Sequence, residues 1–145
     1  MAIDLPLLKT ELDADPLSLG YAIHLSPNPE SPQGAADLLN TIGASGEVID
    51  VTVVDAITVS AAVVVSEFLA LTDGEQGMWL AIVGRDEVPV KNPDLRAQIL
   101  AIWAGGTTTR TNLTSLQSRS ASRGEALFGE GILVTHEHVS GALRL

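Results

Sequence analysis

The side chains able to do chemistry in this chain are few. His136-Glu137-His138 sets two imidazoles around a carboxylate, residue types that hold zinc. The i, i+2 spacing sends the two imidazoles to different faces of a helix and would suit a metal better on a strand. In the first turn of a helix, Glu137 is more simply a surface residue favoured by the macrodipole. His136 and His138 are therefore weak metal candidates, and the remaining histidine, His24, reads as structural. Gly105-Gly106-Thr107-Thr108-Thr109-Arg110 runs glycines into a helix start, a setting that binds phosphate. The Lys-Ser/Thr of a P-loop and the G-x-G-x-x-G spacing are both missing, and a turn between helices with a threonine cap explains the same letters. Ser115–Ser122 contains several serines but no G-x-S-x-G elbow. The carboxylate pairs Asp13/Asp15 and Asp86/Glu87 read as cap and loop residues. No catalytic residue and no cofactor is expected, and the chain is not read as an enzyme.

One basic cluster stands out: Arg110, Arg119 and Arg123, the last two being i, i+4 neighbours if one helix runs through both. It reads either as a solvated face or as a docking patch for an acidic partner. Candidates for the acidic side are Asp13 and Asp15 in the N-terminal half of another copy.

The wider composition narrows the classes. The 145 residues are the length of a single domain, expected over 1–145 with a proline-rich loop at 26–34. There are no cysteines, which excludes disulfides, cysteine-ligated zinc and a thiol nucleophile. Aromatics are 3% of the residues, so aliphatic side chains must fill the core. The net charge of −10 opposes binding to DNA phosphates or to an anionic membrane surface. Residues 1–75 hold one base and twelve acids, a balance of −11, while residues 76–145 hold seven bases and six acids, a balance of +1. That asymmetry fits either a solubilising surface or a head-to-tail contact between copies in a homo-oligomer. The N-terminus has no basic leader segment. The longest apolar stretch of the sequence, Ala56–Val65, is too short to span a membrane, so no membrane association is expected.

The elements that carry these residues read as mainly α: a compact bundle of six or seven short helices, with a short strand or hairpin near 48–53. A first helix covers Pro6–Asp13 and stops at Asp15-Pro16. A second spans Ala35–Ile42, with Leu38, Leu39 and Ile42 inward. Ala61–Leu71 is expected as a helix capped by Ser60. Thr72-x-x-Glu75 and Ser122-x-x-Glu125 are capping boxes, the first opening a helix with Trp79, Leu80 and Val83 on one side. Asn92-Pro93 opens a helix with Leu95, Ile99, Ile102 and Trp103 at i, i+4, i+7 and i+8, closed by Gly105-Gly106. Thr107 or Thr108 caps the next, and Thr135 caps the last, which buries Val139 and Leu143.

Three pieces carry a resemblance: LKTELDADPLSLGYA (Leu8–Ala22), EFLALTDGEQGMWLAI (Glu67–Ile82) and GGTTTRTNLTSLQSRSASRGEALFGEGILVTHEHVSGAL (Gly105–Leu143). In that order and spacing they resemble a family of small proteins encoded in the structural gene blocks of tailed bacteriophages. The resemblance implies a virion structural protein, assembled in the host cytoplasm, with portal, capsid or tail components as partners. A head–tail connector or adaptor subunit at the neck is the first expectation. A capsid decoration or minor tail accessory protein is the second, and a small metal-dependent enzyme, from an unrelated class, the third.

Overall fold

A computed structural model describes residues 2–25 and 31–145. In chain order the elements are α1 (Leu5–Ala14), α2 (Tyr21–Leu25), α3 (Pro32–Asn40), β1 (Val48–Asp50), β2 (Val54–Asp55), α4 (Ala56–Ala61), α5 (Val65–Leu69) and α6 (Asp73–Val83), followed by β3 (Glu87–Val88), α7 (Pro93–Ile102), α8 (Thr108–Ser115), β4 (Ser118–Ser120), α9 (Arg123–Phe128) and α10 (His136–Leu143). The chain is mainly α, but ten helices are described where six or seven were expected. Most of the proline-rich loop, residues 26–30, lies outside the described residues.

Among the described residues the buried side chains form two hydrophobic cores, in two compact units: Met1–Ile49 with Ser120–Leu145, and Asp50–Arg119. In unit 1, Leu8, Leu12, Tyr21, Ala35, Ala36, Leu39, Val134, Val139 and Ala142 are buried together. Helix α3 packs on α10, α2 and α9, and α1 packs on α10. The Asn40 amide acts as a strand would, donating to Val134 O at 2.7 Å and accepting from Val134 N at 2.9 Å. Helix α9 comes so close to α3 that a Cβ on Gly124 would meet Leu39 O and Val134 Cγ2 at 3.2 Å, so glycine is what admits the approach. In unit 2, Val59, Trp79, Ile82, Val88, Val90, Ile99, Ile102, Trp103 and Leu113 form the core. Trp79 and Trp103 meet edge to face, with ring centroids 5.3 Å apart at 84°.

Local signals placed the helix starts well. The Thr72/Glu75 and Ser122/Glu125 boxes are formed on both sides, Asn92 accepts from Asp94 N and Leu95 N, and Thr107 and Thr135 cap as expected. Helix α1 ends at Ala14, and Asp15 takes the left-handed conformation at φ 41°.

Other expectations are corrected. The helix expected over Ala61–Leu71 is split, because Val63 and Val64 leave the helical path for tertiary partners. Ala62 O accepts from the Asn112 amide at 3.0 Å, and Val64 N donates to the Thr109 hydroxyl at 2.9 Å. The cap in this region is Asp55, which opens α4 by accepting from Thr58 N, and not Ser60. The short strand expected near 48–53 is present as β1 at Val48–Asp50, as a strand and not a hairpin. Strand β1 forms a two-stranded sheet with β4, and β2 pairs with β3, antiparallel with Val54 opposite Val88. Helix α3 begins at Pro32 under a Ser31 cap, so it ends before Ile42, which is 63% exposed. On α6 the inward position belongs to Ile82, and Leu80 faces out at 58% exposure.

Candidate functional site

His136 and His138 sit in the first turn of α10. His138 fills the capping-box position usually taken by Glu, its Nδ1 accepting from Thr135 N at 3.0 Å. His136 and Glu137 are exposed. Among the described residues no group of three metal-capable side chains converges.

The Gly105–Arg110 segment does build the N-terminal anion site that its letters suggest, and the chain fills that site itself. The Glu67 carboxylate, on α5, accepts from Thr108 N at 2.9 Å, from Thr109 N at 2.7 Å and from the Thr109 hydroxyl at 2.7 Å. The Thr109 hydroxyl in turn accepts from Val64 N, so one fully buried side chain joins the α4–α5 corner to α8. The hydrogen bond from the Thr109 hydroxyl, then that from its backbone N–H, holds Glu67 below the usual carboxylate range. Glu67 was not singled out from the sequence, because it is 42 residues away from Thr109.

Thr109→Val is expected to cost about 1–3 kcal/mol, since Val64 N is left without its acceptor. A urea titration at pH 7 measures this. The Glu67 contribution is complete above the unfolded glutamate pKa, about 4.3, and is lost as pH falls through the lower folded value. Between pH 5 and pH 2 the wild type should therefore lose more stability than Thr109→Val; equal losses would reject the Thr109–Glu67 coupling.

The three arginines do not form one patch. Arg119 lies in β4, a strand, and Arg123 opens α9, so no helix runs through both and the i, i+4 relation fails. Arg123 is an internal clamp of unit 1. Its Nε and Nη2 bind Glu11 Oε1 and Oε2 at 2.8 and 2.9 Å, and its Nη1 reaches Glu47 Oε1. The Tyr21 hydroxyl donates to Glu11 Oε1 at 3.0 Å. The Glu11 hydrogen bond raises the Arg123 pKa above its already high range. Burial, followed by the Glu11 bond, pushes the Tyr21 hydroxyl above the usual phenol range. Arg110 is half-buried on α8 beside Gly105, lining an open groove of about 350 Å³ with Thr111, Thr114 and Ser115.

The acidic candidates also have local work. Asp13 is exposed and pairs with Lys9 at 3.4 Å. The Asp15 carboxylate accepts from Leu19 N at 2.7 Å and Gly20 N at 2.9 Å, holding the turn after α1. The charge asymmetry of the sequence halves is also redistributed. Unit 1 holds three bases and ten acids (−7) and unit 2 five bases and eight acids (−3), so neither unit is basic.

An open cleft of about 450 Å³ in unit 2 is lined by Asp55, Ile57, Ser60, Val83, Gly84 and Arg85. Two acids, Asp55 and Asp86, line it, and Asp55 accepts from both the backbone and the hydroxyl of Thr58. What remains prominent is apolar. Ile57, Val65 and Leu69 are 83%, 69% and 67% exposed, and Met78 and Leu80 are about half-exposed on α6. Among the described residues no helix is long and apolar enough to cross a membrane. Comparison with known protein families, curated proteins and solved structures finds no match to this chain.

Proposed function

We propose that this chain is a structural subunit of a tailed-bacteriophage virion, acting at the head–tail junction by multi-copy protein–protein assembly and not by catalysis. The motif set Leu8–Ala22, Glu67–Ile82 and Gly105–Leu143 carries the reading. Those pieces also supply the two internal latches: Glu11 and Tyr21 meet Arg123, and Glu67 meets Thr108 and Thr109. Outward-facing Val65 and Leu69, one helical turn apart on α5, are suited to contact with another protein. Its partners are then portal, capsid or tail proteins, met in the host cytoplasm during assembly.

Mass spectrometry of purified virions tests the reading. The polypeptide is expected at about a dozen copies per particle, the number of a connector ring. Hundreds of copies would favour capsid decoration instead, and absence from the particle would remove every virion role.

A further inference from the structure

Unit 1 is built from two pieces of chain, Met1–Ile49 and Ser120–Leu145, and the whole of unit 2, Asp50–Arg119, lies between them in sequence. Neither piece of unit 1 has a core without the other. Leu8, Leu12 and Leu39 from the first are buried with Val134, Val139 and Ala142 from the second. Arg123 binds Glu11, and the Asn40 amide is bonded in both directions to Val134. Unit 2 is one continuous piece with its own core. Its long-range bonds include Thr109 to Glu67 and Asn112 to Ala62.

Both crossings of the chain between the units fall in β1 and β4. Inside unit 1, Ala121 N donates to Glu47 O at 3.0 Å, and inside unit 2, Val51 N donates to Gln117 O at 2.9 Å. Four residues forward on one strand answer four back on the other, so the strands run antiparallel without a bulge and set Val48 opposite Ser120. A folded unit 2 therefore returns its own two ends to within a hydrogen bond of each other. An unfolded one does not. About 70 residues of unfolded chain have a radius of gyration of about 26 Å. The chance that the ends of such a chain meet falls as the −3/2 power of its length, to on the order of 1 in 500.

We propose that unit 2 is a clasp for unit 1. While unit 2 is folded, the two pieces of unit 1 are delivered side by side, and unit 1 forms without closing a loop. Once unit 2 opens, unit 1 must close a loop of about 70 residues, and its folding equilibrium falls by roughly 500-fold. The effect is carried by chain connectivity. Linkage makes it reciprocal, so a folded unit 1 holds unit 2 closed by the same factor. A partner that opens either core is then felt by the other. The clasp is a property of the free chain and stands whether or not the chain belongs to a virion.

Hydrogen exchange of the full chain, read by mass spectrometry of its peptides, tests the clasp. Ile99 and Ile102 are 4% and 3% exposed, so Ile99→Asp/Ile102→Asp places two charges in the unit 2 core and unfolds it. Red-shifted emission from Trp79 and Trp103, both in that core, verifies the unfolding. Amide protection in α1, α3 and α10 of unit 1 should then fall by roughly 500-fold. A second pair of substitutions isolates the loop. The chain has no cysteines, so Val48→Cys/Ser120→Cys adds a single disulfide, across a non-hydrogen-bonded pair of exposed residues within unit 1. With all four substitutions present, the oxidised chain should regain unit 1 protection to within about tenfold of wild type, because the loop is closed covalently. The reduced chain should stay unprotected. Unit 1 protection within about tenfold of wild type in Ile99→Asp/Ile102→Asp overturns the proposal. So does an oxidised chain protected no better than the reduced one, since unit 1 would then depend on unit 2 by a route other than loop closure.

Discussion

Replacing Arg123 with methionine is expected to destabilise unit 1 by about 3 kcal/mol and to lower its thermal midpoint by on the order of 10 °C. The guanidinium binds both oxygens of Glu11, whose side chain is only 3% exposed. Removing the cation leaves that carboxylate buried with the Tyr21 hydroxyl as its remaining side-chain donor. Glu47 is 29% exposed and can be rehydrated, so most of the loss belongs to Glu11. Arg123→Lys should recover only part of it, because an ammonium cannot make the two-pronged contact. The double variant Glu11→Met/Arg123→Met should be milder than Arg123→Met alone, since no unpaired charge then stays inside. Thermal melts followed by far-ultraviolet circular dichroism measure all three. A single variant within 0.5 kcal/mol of wild type, or a double variant worse than either single, would refute the clamp.

Trp103→Ala should cost unit 2 about 3–5 kcal/mol. The side chain is fully buried and closes the T-shaped contact with Trp79, so truncation removes both the largest buried side chain and an aromatic pair. Trp103→Phe keeps a ring in place and should lose less than half as much. The protein has two tryptophans, and both sit in this core, so emission reports on unit 2 alone. In Trp103→Ala the Trp79 emission should shift to the red and its denaturation midpoint should fall. An unchanged midpoint would mean that the core does not depend on this residue.

These two residues illustrate how unevenly the sequence discloses its structure. Trp103 was legible, because its spacing from Leu95, Ile99 and Ile102 on one helix face is a periodic signal within a few residues. Arg123 was visible only as a charge. Its position beside Arg119 suggested a surface patch, while its partners Glu11 and Glu47 lie 112 and 76 residues away. Glu67 and Thr109 were hidden for the same reason, although the glycine–threonine run did mark a helix start that attracts anions. The break between α4 and α5 was missed because helical spacing continues through Val64 and Phe68. Side chains from α8 hold the chain open there.

By itself the sequence determined the helical class, most of the caps and inward positions such as Leu39, Ile99 and Val139. Those properties arise within one or two turns, where side chain and backbone meet without help from the rest of the chain. Tertiary structure decided the division into two cores, the strand pairings, the conversion of Arg123 from a surface candidate into an internal clamp, and the filling of the α8 anion site by Glu67. It also decided that Met78 and Leu80 of α6 stay about half-exposed. Each of these depends on which distant residues are brought within about 3 Å of one another or kept apart, and local spacing does not encode that.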